Sequence, residues 1–87
     1  YAHIADYILA HHEWFNGMGY PKGLKGNDIP LQGRIIKLAN DFSSQIDREG
    51  SDLQKTMKFI EARSNIQYDP DLVVILKKMY ENNAQFY

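Results

Sequence analysis

Apolar residues recur over the first fifteen positions at Ile4, Tyr7, Ile8, His11 and Phe15. That three-and-four spacing predicts an amphipathic helix from Tyr1 to about Phe15, with His11 neutral on its apolar side and His3, Asp6 and Ala10 on other faces. The pattern breaks over 16–29, where Gly17, Gly19, Pro21, Gly23 and Gly26 exclude a regular element. Fourteen residues make a long loop for a compact domain, and loops of that length are usually functional or disordered. Trp14, Phe15, Met18, Tyr20 and Leu24 are interleaved through this region, which predicts an Ω-like loop packed by its own side chains. Helical spacing resumes at Pro30, a residue suited to a first turn. It continues through Leu31, Ile35, Leu38, Phe42 and Ile46, with Ile36 and Ala39 beside them and Arg34 and Lys37 between. After the charged turn Asp47-Arg48-Glu49-Gly50, Ser51 and Gln54 read as a capping box. They open a third helix through about Ala62, with Leu53, Met57, Phe59 and Ile60 on its apolar face. A connector follows over 63–68. Asp69 as N-cap and Pro70 at the first helical position then open a fourth helix, which carries Leu72, Val73, Ile75, Leu76, Met79 and Tyr80 and ends near Asn82-Asn83. The tail to Tyr87 is expected to fray. No segment alternates as a strand would. The predicted class is all-α, four helices with a long glycine-rich loop between the first two, and the apolar stripes are expected to form the core.

Composition changes this picture little. Eighty-seven residues make one small domain, 1–87, whose core is marginal. Ten basic and eleven acidic residues leave a net charge of -1, so no basic excess argues for a nucleic acid polymer or an anionic membrane. The absence of cysteine excludes a disulfide framework and a thiolate zinc site, and fits a reducing, cytoplasmic setting. No apolar run approaches the ~20 residues of a membrane span. The chain opens on Tyr1, within a helical pattern, which reads as a piece of something longer. Four short helices beside an aromatic loop are expected to need a second copy or further chain over their apolar faces, and to be marginally stable or self-associating alone.

The chemistry is concentrated between His11 and Pro21: two adjacent histidines, the only tryptophan and two of six glycines within eleven positions. Neutral imidazoles are the commonest metal ligands. Neighbours on a helix lie about 100° apart, so His11 and His12 suit two neighbouring metals, or one metal and a substrate phosphate, better than one shared ion. Glu13 could orient an imidazole from behind, or could serve as a surface charge or loop anchor. Asn16 can cap the turn with its side chain. Lys22 and Lys25 are solvated by default and could meet phosphate.

The whole stretch, His11-His12-Glu13-Trp14-Phe15-Asn16-Gly17-Met18-Gly19-Tyr20-Pro21, resembles the signature of the HD-GYP domain, a bacterial family of metal-dependent phosphohydrolases that cleave cyclic di-GMP. The likeness continues in Gly23-Leu24-Lys25-Gly26, Ile29-Pro30-Leu31, Arg34-Ile35-Ile36-Lys37-Leu38-Ala39 and Gln67-Tyr68-Asp69-Pro70. It covers nearly the whole chain and corresponds to the C-terminal half of the family's catalytic domain. The resemblance implies an HD-like helical fold, iron or manganese as cofactor, and a role in cyclic di-GMP signalling. It further implies His11, His12 and position 40 as metal ligands, and Gly19, Tyr20, Pro21, Lys22 and Lys25 as residues facing substrate or a protein partner.

The departures bear on activity. Position 40, an aspartate in the family, is Asn40 here, and Ser43 replaces the next aspartate. Asp41 is displaced by about 100° round the helix. Of an Arg-Pro-Tyr-Arg segment tied to substrate only Asp47-Arg48 remains, and the His-Asp doublet that names the family would fall before Tyr1. A neutral amide holds a hard cation less well than a carboxylate. The expectation is a phosphohydrolase unit degenerate or incomplete as a catalyst, with metal weak or absent. The alternative is a regulatory module that binds a protein through its Gly-Tyr-Pro loop.

Overall fold

In a computed structural model of the chain, residues 2–20 and 22–82 are described, the side chains of residues 2 and 3 excepted. Among them are four α-helices: α1 (Ala2–Leu9), α2 (Leu31–Arg48), α3 (Leu53–Ala62) and α4 (Pro70–Asn82). The tail expected to fray and the predicted helix end at Asn83 lie outside the described residues. No helix among them is long and apolar enough to cross a membrane.

The first helix is shorter than its periodicity predicts. After Leu9 the chain tightens into a 3-10 turn, Ala10–His12, and leaves helical geometry at Glu13 (φ -72°, ψ 144°). Its inward face also differs from the predicted one. Ala10 is buried while Ile4 and Ile8 are exposed. The reason lies on α2, where Gly33 is buried against this turn. A Cβ at Gly33 would stand 2.6 Å from the Ala10 Cβ, so two small residues set the crossing.

Helix α2 packs against α1, α3 and α4. Leu38 on α2, Ile60 on α3, Val73 on α4 and Tyr68 of the connector form the core, with Phe42, Phe59, Leu72 and Leu76 packed around them. The predicted stripes are therefore core only in part. Leu31 and Ile35 on α2, and Ile75 and Met79 on α4, are exposed. Ile35, Phe42, Ile75 and Met79 line an apolar groove of about 470 Å³ between these two helices.

The cap of α3 is also corrected. Ser51 sits in the left-handed region (φ 68°) and its N–H donates to Ile46 O (2.8 Å), closing the end of α2. Asp52 is the N-cap, its Oδ1 accepting from Lys55 N at 3.1 Å. Asp69 does open α4, with Oδ1 accepting from Asp71 N at 2.9 Å.

Candidate functional site

The loop after the histidines closes on itself. Asn16 and Lys25 form an antiparallel bridge, and Gly26 N–H donates to Phe15 O (2.9 Å). Asn16 caps the turn as the sequence suggests, its Oδ1 accepting from Met18 N at 3.0 Å. The loop also leans on the connector before α4, through Phe15 N to Gln67 O (3.2 Å) and Asn16 N to Ile66 O (2.9 Å).

Glu13 organises the interior of the loop. It is only 2% exposed. Its two carboxylate oxygens accept from Lys22 N (2.9 Å) and Leu24 N (3.0 Å), nine and eleven residues ahead. Both oxygens are thus engaged with loop amides. Gly19 passes so close to the His12–Trp14 backbone that a Cβ there would overlap Trp14 N, His12 O and Glu13 C. Gly19→Ala is expected to cost about 2 kcal/mol, because the obstacle is backbone that cannot rotate away. Thermal unfolding checks this; an unchanged midpoint would show that the loop moves aside freely.

The two imidazoles lie together, ring centroids 3.9 Å apart. The Nδ1 of His11 faces the Ile8 carbonyl oxygen. When that nitrogen carries the proton, Nε2 is left with its lone pair. The ring of His12 stacks on Tyr20, with centroids 4.8 Å apart and planes 12° from parallel. Tyr20 is 61% exposed and Met18 76%, so the loop presents an apolar tip. Lys22 and Lys25 are also exposed. Pro21 lies outside the described residues.

Asn40 is exposed on α2 and donates weakly to Asp41 Oδ1 (3.4 Å). Asp41 is turned to a different task. Its Oδ2 accepts from Lys37 Nζ (2.9 Å) and from the Tyr68 hydroxyl (2.8 Å). Burial, and then the bond to Asp41, push the Tyr68 phenol well above its ordinary pKa. Asn40 and Asp41 line a cleft of about 330 Å³ with Ser44, Arg48 and Tyr68. Lys37 Nζ also stands 5.6 Å from the Tyr68 ring centroid and 6.0 Å from that of Trp14. Sequence reading missed this cluster, although the four-residue spacing of Lys37 and Asp41 is an ion-pair signal.

As a metal centre the described residues do not suffice. No group of three histidine or carboxylate side chains among them could hold an ion. Two imidazoles and an exposed neutral amide do not offset a divalent charge.

The chain belongs to the HD domain family, whose model matches residues 1–72. Over 87 residues it is 32% identical to a cyclic di-GMP phosphodiesterase of Thermotoga maritima, covering 95% of this chain and 24% of that protein. It is 33% identical over 69 residues to the cyclic di-GMP phosphodiesterase response regulator RpfG of Xanthomonas campestris pv. campestris, covering 75% of this chain and 18% of that protein. The crystal structure of a cyclic GMP-AMP specific phosphodiesterase from Vibrio cholerae superposes with a TM-score of 0.82 at 37% identity, covering 91% of this chain and 19% of that one. The homology to HD-GYP cyclic dinucleotide phosphodiesterases thus extends over most of the chain, which spans a quarter or less of the length of these relatives. The family implies divalent metals.

Proposed function

We propose that this chain is the loop-bearing part of an HD-GYP-type phosphohydrolase unit that still recognises a cyclic dinucleotide and no longer hydrolyses it. The observation that carries this reading is Asn40, an exposed neutral amide where the HD-GYP resemblance implies a metal carboxylate. Asp41 offers no replacement, since Lys37 and Tyr68 already engage it. For recognition, Lys22 and Lys25 supply exposed positive charge on the same loop that carries Tyr20. The relatives named above act on cyclic di-GMP or cyclic GMP-AMP, which gives the ligand class.

The test is turnover and binding with the same preparation. Incubation with cyclic di-GMP or 3'3'-cyclic GMP-AMP and manganese or ferrous iron is expected to give no linear product. Asn40→Asp is expected to raise manganese affinity by about tenfold or more, by restoring one anionic donor. Turnover by the unmodified protein would overturn the reading. A second reading, a protein-binding module, is favoured by the exposed Met18 and Tyr20 at the loop tip. Cyclic dinucleotide binding that weakens on joint replacement of Lys22 and Lys25 by alanine supports the first reading; no binding at all supports the second.

A further inference from the structure

The side chains around Asp41 contain a cation of their own. We propose that Lys37 is the resident cation of this site, neutralising Asp41 and holding the histidine-bearing loop against α2, so that the assembly stands without a divalent ion. The inference deepens the functional reading above and rests on its view of position 40. Lys37 is nearly buried, its side chain 11% exposed against 22% for Asp41. A buried ammonium is costly unless it is paired, and every contact of this one has a structural consequence. Asp41 Oδ2 lies 2.9 Å away and is shared with the Tyr68 hydroxyl. Tyr68 is itself almost fully buried in the core and offers Lys37 its ring face. Trp14 offers a second ring, two positions after His12. A single positive charge thereby joins three segments that are remote in sequence: the turn after the histidines, α2, and the connector before α4. The connector and the loop are also tied by the Phe15–Gln67 and Asn16–Ile66 backbone bonds, so the cation sits at a junction that already exists. Its attraction to two aromatic faces adds to the ion pair because the ammonium is itself nearly buried.

The experiment measures thermal midpoints of the wild type, Lys37→Met and the double variant Lys37→Met/Asp41→Asn, each with EDTA and with millimolar manganese. Methionine keeps most of the volume and removes the charge. Lys37→Met is expected to lower the midpoint by about 8 °C or more, as Asp41 becomes an uncompensated, partly buried carboxylate. The double variant is expected to recover at least about half of that loss, since the carboxylate is then neutral. The wild type is expected to move by less than about 2 °C with either EDTA or manganese. If Lys37→Met fails to fold, the double variant decides: a folded double supports charge pairing, and an unfolded one overturns it. A Lys37→Met midpoint equal to the wild type, or a wild type that loses stability on chelation, overturns the proposal. Cyclic dinucleotide turnover without any chelation-sensitive stability would overturn the functional reading and leave the Lys37 junction intact.

Discussion

Arg34→Ala is expected to cost about 3 kcal/mol of unfolding free energy, through the penalty of a buried charge left without its partner. Arg34 Nη1 lies 2.6 Å from Asp69 Oδ2, the two side chains being 15% and 6% exposed. Its Nε donates to Ile29 O at 3.0 Å. One guanidinium thus joins the end of the loop, α2 and the residue that caps α4. Alanine strands one oxygen of Asp69 and the Ile29 carbonyl together, while the other Asp69 oxygen remains committed to Asp71 N. The surface pair Lys77–Glu61 supplies the contrast, 3.7 Å apart and exposed on both sides, so Lys77→Ala is expected to be nearly neutral. In a domain this small the Arg34 loss corresponds to a fall of more than ~10 °C in the thermal midpoint. Arg34→Lys is expected to recover only part of it, because one ammonium cannot reproduce the two-sided fork. A midpoint within a degree or two of wild type for Arg34→Ala would show that the pair contributes little more than it costs to desolvate.

What the sequence made legible was local. Asp69 followed by Pro70 announces a helix start whose physics involves only adjacent residues, and α4 begins there. The α2 stripe, from Leu31 to Ile46, identifies a helix that runs two residues further, to Arg48, and takes in the first half of the expected charged turn. Errors arise where a residue is claimed by something distant. Ser51 has the composition of a cap, yet its amide closes the preceding helix onto Ile46 and Asp52 takes the cap. Ile4 and Ile8 have the spacing of a core face, yet the close approach of Gly33 to Ala10 turns a different face inward. Periodicity identifies a helix and its stripe, but only the partner decides which part of that stripe is covered.

The same division runs through the site. Adjacent histidines and a glycine-tyrosine turn are visible as a pattern, and the backbone does bring His12 and Tyr20 into a stack. The Asx cap of Asn16 was also legible, since it reaches two residues ahead. Lys37 and Tyr68 are thirty-one positions apart in the chain, and Arg34 and Asp69 thirty-five, so their pairings depend on the fold. Of these residues, Lys37 and Tyr68 both engage Asp41. Its geometry is set by the core, through Tyr68.

Glu13→Gln should therefore damage the loop more than its near-isosteric change suggests. A carboxylate offers an acceptor at each oxygen, and here each faces a backbone N–H, that of Lys22 and that of Leu24. Glutamine keeps one acceptor and turns an NH₂ group toward the other donor. In a position only 2% exposed, water does not readily fill the gap. Losing one charge-assisted bond, weakening the second and burying an unmatched donor is expected to cost about 2–4 kcal/mol. The loss should be local before it is global. Hydrogen exchange is expected to accelerate by at least about tenfold at the Lys22 and Leu24 amides, with helical amides of α3 much less affected. Because Gly19 lies against the Glu13 backbone and Tyr20 stacks on His12, the Tyr20 ring resonances are expected to shift as well. Unchanged protection at both amides would mean that the clamp does not hold the loop, and that the close passage of Gly19 alone sets its shape.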